Sequence, residues 1–217
     1  MFKKTLLCFG LTAFATLASA HELWVEQDAS GVARIYIGEP EEGPDKGDAV
    51  KNMSAGAKVF TSDAARTSPV SIREDHLEAK PGEDGDVRVI NHGVWKPWKN
   101  DDGTHTAALM HARYGREESK AVMDFELVPT APASNTFTLM FKGQPLAEQE
   151  VVLFGPDKAA EPTELKTDAN GVVTVPVEGK GRFIIAANHS DAANDAAIDG
   201  QKIDTFYYGT TTTFIVK

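Results

Sequence analysis

The stretch Thr136-Phe137-Thr138-Leu139-Met140-Phe141 places a bulky apolar side chain at every second position. That is the period of a strand with one buried face. The residues that follow keep the rhythm. Lys142-Gly143-Gln144-Pro145 reads as a turn and Glu150-Val151-Val152-Leu153-Phe154 as a buried strand. Asp168-Ala169-Asn170-Gly171 reads as a hairpin turn into Val172-Val173-Thr174-Val175. Arg182-Phe183-Ile184-Ile185-Ala186-Ala187 and the Thr- and Tyr-rich run at 205–216 complete this series. Upstream, residues 32–37, 58–61, 70–73, 86–90, 104–114 and 123–127 are extended by the same criterion, and only 45–53 hints at a helical turn. Short strands separated by turn residues predict an all-β protein built of β-sandwich-like domains. The uncharged, proline-bearing segment Val128-Pro129-Thr130-Ala131-Pro132-Ala133-Ser134 reads as a linker. It predicts an N-terminal β domain over 21–128, a linker at 129–134 and a C-terminal sandwich over 135–217. The second core is expected to hold Phe137, Leu139, Phe141, Val152, Phe154, Phe183 and Ile185, and that half to fold alone.

The first twenty residues read differently. Met1-Phe2-Lys3-Lys4 is basic, residues 5–17 are almost wholly apolar, and Ala18-Ser19-Ala20 is a small-residue cleavage site. This is the pattern of a bacterial-type secretory signal peptide, residues 1–20, and its removal leaves His21 first. Cys8, the sole cysteine, goes with it, which excludes disulfides, thiolate metal clusters and a cysteine nucleophile from the mature chain. The expected location is the periplasm, with no membrane anchor, since no second long apolar run exists. A net charge of -10 argues against nucleic-acid partners.

An N-terminal histidine offers its free amine and its imidazole Nδ1 to one metal ion. Such nitrogen donors suit Cu(II) and Ni(II). The amine has a pKa near ~8, so metal competes with a weakly held proton. A second histidine would come from Thr104-His105-Thr106-Ala107-Ala108-Leu109-Met110-His111. His105 and His111 share a face of one strand, but six residues at about 3.4 Å each keep them roughly 20 Å apart. At most one completes a His21 site, and His111, inside the strand, is favoured over His105. His189 serves if the two halves close on His21. His76 and His92 read as surface residues. Trp95-Lys96-Pro97-Trp98 could stack on a sugar ring or cover a sandwich end. No sequence motif for a catalytic triad, a nucleophile elbow, a phosphate loop or a zinc-protease pair is present, and the chain reads as non-enzymatic.

Gly143-Gln144-Pro145-Leu146, Val151-Val152-Leu153-Phe154 and Thr167-Asp168-Ala169-Asn170-Gly171 resemble the prealbumin-like or Cna-B-type sandwich. A leader followed at once by His21-Glu22-Leu23-Trp24-Val25, with Tyr207-Tyr208 and Thr213-Phe214 near the end, resembles the DUF4198 family of periplasmic proteins. Some of its members accompany nickel or cobalt uptake transporters. The resemblance implies a metal-handling role beside an inner-membrane transporter, with nickel or cobalt as the ion; the ligand chemistry itself favours copper. Two rival readings follow from the same residues. One is a structural or carbohydrate-binding module, marked by exposed Trp95 and Trp98 with His21 far from other histidines. The other is an oxidative copper enzyme using the N-terminal histidine.

Overall fold

The computed structural model describes residues 21–82 and 85–217. The signal peptide expected at 1–20 lies outside the described residues. In chain order the elements are β1 (Glu22–Gln27), β2 (Ala33–Glu39), β3 (Gly43–Pro44), α1 (Asp48–Gly56), β4 (Ala57–Phe60), β5 (Val70–Ile72), β6 (Leu77–Ala79), β7 (Val87–Asn91), β8 (Trp98–Lys99), β9 (His105–Tyr114) and β10 (Phe125–Pro129). Then come β11 (Thr136–Phe141), β12 (Gln144–Pro145), β13 (Glu150–Phe154), β14 (Thr163–Lys166), β15 (Val172–Thr174), β16 (Gly181–Ala192), β17 (Ala197–Ile198), β18 (Gln201–Lys202) and β19 (Thr205–Val216). The helical turn expected around 45–53 is α1, which buries Val50 and Met53. No helix of the described residues is long and apolar enough to cross a membrane.

The fold is an all-β sandwich of three layers. A central sheet runs β14-β13-β16-β19-β9-β7-β4, with β8 on β9. On one face lies the sheet β1-β2-β6-β5; on the other lies β10-β11-β12, with β15 on β11. The alternation of β9 shows the two faces directly. Ala108, Met110 and Ala112 pack with Leu23, Val25, Ile35 and Val89 in one core. Leu109, between them, packs with Phe125, Phe137, Leu139, Phe183 and Phe214 in the other. A strand covered on both sides has no polar face to show, and β9 is buried from Thr106 to Arg113.

The seam of the molecule is the parallel pairing of β9 with β19, from Thr205↔Thr106 to Thr213↔Tyr114. β19 also pairs antiparallel with β16 along its whole length, Gly181↔Val216 to Ala192↔Thr205. Its residues Thr210, Thr211, Thr212 and Thr213 are fully buried. Two of these hydroxyls reach outward on opposite faces. Thr211 Oγ1 donates to the Leu23 carbonyl of β1 at 2.7 Å, and Thr212 Oγ1 to the Leu127 carbonyl of β10 at 3.0 Å. Each outer sheet is thereby tied by a side chain to the central strand.

The linker expected at 129–134 is instead the connection of a hairpin. β10 and β11 pair across it from Phe125↔Phe141 to Pro129↔Phe137. Proline and small residues suit a tight connection as well as a linker, so composition could not separate the two. The central sheet draws strands from both sides of this segment. The register of β13 also differs from expectation. Val151 and Leu153 enter the second core while Val152 and Phe154 are half-buried. Four consecutive apolar residues carry no period to choose the inward pair.

Between β7 and β9 of the central sheet and the segment 118–126 that leads into β10, charges fill the space. Arg88 of β7 and Arg113 of β9 are fully buried. Arg88 Nε and Arg113 Nη1 both donate to Glu126 Oε1, at 2.8 and 2.9 Å. Arg88 also pairs with Glu118 at 2.7 Å, and Arg113 Nε donates to Asp86 at 3.0 Å. The second Glu126 oxygen accepts the N–H groups of Val122 and Met123. Removing one partner of such a network strands a buried charge, which costs roughly 3–5 kcal/mol.

Two outcomes are expected. Glu126→Gln should lower unfolding stability by roughly 3 kcal/mol in urea titration, and a change under about 0.5 kcal/mol would show the network idle. A fragment starting at Asn135 lacks both β9 and β10, so it should show no cooperative thermal transition by circular dichroism. A sharp melt of that fragment would mean the second core suffices alone.

Candidate functional site

His21 stands immediately before β1, whose first pair is Glu22↔Gly38. Its side chain is 44% exposed, and Nε2 lies 3.3 Å from Asp45 Oδ2. Asp45 is held by its own backbone, whose N–H donates to the Ile37 carbonyl of β2 at 2.8 Å. The Trp95 ring stands edge-on to His21, with centroids 6.5 Å apart. Trp95 belongs to the loop after β7. Asn91 anchors that loop, donating to the Met53 carbonyl of α1 at 2.7 Å and accepting from Gly93 N–H at 3.0 Å. Trp95 and Trp98 are 36% and 40% exposed. An imidazole oriented through Nε2 by a carboxylate keeps its Nδ1 lone pair for another partner.

The histidines chosen from the sequence do not meet at His21. His111 is 2% exposed and shares the face of β9 that carries Leu109, against the second core. β1 packs on the opposite face, through Leu23 and Val25. The His111 ring stacks on Tyr208 at 6.3 Å and meets His92 edge-on at 5.7 Å. His105 is half-buried at the start of β9, where its backbone N–H donates to Asp204 Oδ2 at 2.9 Å. His189 packs on Phe141 with centroids 4.7 Å apart, its Nδ1 3.3 Å from Gln149 Oε1. Among the described residues no group of three or more His, Cys, Asp or Glu side chains is placed to hold a metal.

Sequence reasoning passed over the residues that do surround the start of β1. Nothing in the spacing around Asp45 marks it in the sequence. Glu22 alternates away from His21 and is 4% exposed. Its Oε1 accepts from Asn188 Nδ2 at 3.3 Å. Burial pushes Glu22 up to about 8; the Asn188 hydrogen bond works against that and the charge of Glu41 adds to it.

These features define a three-layer all-β protein with an oriented, accessible histidine at the head of its first strand. The chain belongs to the DUF4198 family, described as a domain of unknown function, whose profile matches residues 18–191. No curated protein and no solved structure matches it.

Burial holds the His111 pKa at about 3, with the neighbouring His92 charge acting in the same direction. The unfolded chain takes up this proton near 6.5. Between those values the unfolded state binds more protons, so stability falls as pH drops, by up to about 1.4 kcal/mol per unit. His111→Phe should flatten the slope of the urea midpoint between pH 4 and 6. An unchanged slope would place the acid sensitivity elsewhere.

Proposed function

We propose that the chain is a periplasmic, non-enzymatic binding protein for a late divalent transition-metal ion, nickel, cobalt or copper. It acts in uptake or delivery through His21. Cleavage after Ala20 supplies the α-amine, and that amine and Nδ1 of His21 close one chelate ring around the ion. The observation that carries this reading is the 3.3 Å approach of Asp45 Oδ2 to His21 Nε2. It directs the proton to Nε2 and the free lone pair to Nδ1, on the same side of the residue as the amine. A carboxylate on the far nitrogen also raises the basicity of a ligating imidazole. Two protein nitrogens leave the remaining coordination positions to water or to an accepting partner. Such a site releases its ion more readily than a closed cage, which suits hand-over to an inner-membrane transporter. His105 and His111, packed elsewhere on β9, take no part in this site.

A second reading rests on Trp95 and Trp98, both exposed, with the Trp95 ring beside His21. They offer a stacking surface for a sugar ring, as a carbohydrate-binding or structural module would.

Calorimetry with Ni(II) and Cu(II) at neutral pH separates the two. Protein starting at His21 should bind at least tenfold more tightly than protein carrying one extra alanine before it. Asp45→Asn should weaken binding about tenfold, and His111→Ala should leave it unchanged. Equal affinity with and without the extra alanine would reject the His21 site. Metal-independent binding of oligosaccharides, lost in Trp95→Ala, would establish the module instead.

A further inference from the structure

At the opposite end of β1 from His21 lies a cleft of about 320 Å³. It is lined by Gln27 of β1, Tyr114 of β9, Arg116 just beyond it, Ala133 of the β10–β11 connection, and Phe214 and Ile215 of β19. That volume stands at the lower end of the ~300–1,000 Å³ range of small-molecule sites. The turn that carries Arg116 is held on both sides. Gly115 has φ 105°, which swings the chain off β9, and its N–H donates to the Thr213 carbonyl at 2.9 Å. The Arg116 carbonyl accepts from Ala133 N–H at 2.8 Å.

Arg116 differs from the arginines around it. Arg34, Arg73, Arg88, Arg113 and Arg182 each pair with a carboxylate. Half-buried Arg116 pairs with none among the described residues, and neutral groups hold its guanidinium instead. It stands over the Phe214 ring at 4.4 Å, and Nη1 donates to the Ser134 carbonyl at 3.2 Å and to Asn135 Oδ1. A guanidinium clamped through one nitrogen keeps the Nε and Nη2 edge as a planar fork, two parallel donors matched to a carboxylate. Three other charged groups line the cleft: Asp86, Glu117 and Lys217. Asp86 is already taken by Arg113 and by the Glu117 N–H. Glu117 and Lys217 are exposed at the mouth. The carboxylate of Glu117 opposes a doubly charged ligand about twice as strongly as a singly charged one.

We propose that this cleft binds a small organic monocarboxylate, with Arg116 as the partner of its carboxylate and Ala133 and Ile215 against its hydrocarbon part. The site is separate from His21 and requires no metal. A planar head of two oxygens matches the open edge of the guanidinium, whereas a tetrahedral dianion such as phosphate meets Glu117 with twice the charge. The Phe214 contact and the Nη1 hydrogen bonds fix the guanidinium before the ligand arrives, so little side-chain freedom is lost on binding. The lining draws on the ends of β1, β9 and β19. Only the folded chain assembles it, and the ligand therefore raises the melting temperature.

The test uses the full mature chain, free of metal, titrated with benzoate at neutral pH and followed by ligand-observed NMR and thermal melts. Benzoate should bind saturably to one equivalent and raise the midpoint. Benzamide, of the same shape without the charge, and inorganic phosphate should each bind at least tenfold more weakly. Arg116→Gln should weaken benzoate binding at least tenfold, as expected for the loss of a charge-assisted pair. Arg116→Lys keeps the charge but not the fork and should also lose at least tenfold. Ile215→Asp, at an exposed position, should melt like the parent and bind at least tenfold more weakly. The extra-alanine protein should bind benzoate like the parent, which keeps this result independent of the His21 reading. No saturable benzoate binding by the parent would overturn the site, as would full binding retained in Arg116→Gln. Equal binding of benzamide or of phosphate would overturn the choice of ligand.

Discussion

Everything in this molecule hangs on one strand that has neighbours in every direction. β19 is hydrogen-bonded along one edge to β16 and along the other to β9. It is covered on both faces, and its threonines reach the backbone of each covering sheet. Threonine suits that position. It is β-branched, so it favours extended backbone, and its hydroxyl can satisfy a carbonyl that an isosteric valine would leave bare. The parallel pairing with β9 joins segments nearly a hundred residues apart, so the central sheet closes only when the last strand arrives. Two sequence halves thus become one sheet with a core on each side.

The asymmetry of the two outer sheets explains where polar groups are buried. The third sheet covers the part of the central sheet built from the later strands. Beside it, the Arg88–Glu126–Arg113 network joins β7 and β9 to the start of β10. Each charge there has an opposite partner, and the remaining oxygens accept backbone N–H groups, which is the condition for holding ions in a dry place. The start of β1 contrasts with it: Glu22 is buried there with one oxygen accepting from Asn188 and the other without a partner.

Strand identity was legible where the two-residue period survives because one face is wet, as in β2 and β11. It faded where strands are covered twice. β9 and β19 read as extended but gave no sign that they pair with each other, since long-range pairing leaves no local pattern. The hairpin connection at 129–134 looked like a linker because chain reversal and chain separation draw on the same residues. His21 was singled out for its expected place at the start of the mature chain, not for its surroundings. Its true neighbours, Asp45 and Trp95, come from two loops that only the tertiary fold brings to it. His111 illustrates the converse: a histidine in an apolar strand was read as a ligand candidate, and it stacks on Tyr208 in a core facing away from His21.

Gly38 connects both ends of this picture. It pairs with Glu22, has φ 143°, and a Cβ there would stand 2.7 Å from the Gly43 carbonyl and 2.9 Å from the Asp45 N–H nitrogen. The β2–β3 loop can fold back that tightly only over a bare α-carbon. Glu41 rides on this loop, and Asp45 follows directly after β3. One methyl group at position 38 would therefore push away the turn whose end holds Asp45 beside His21, so the setting of the first residue depends on a bare α-carbon in the neighbouring strand.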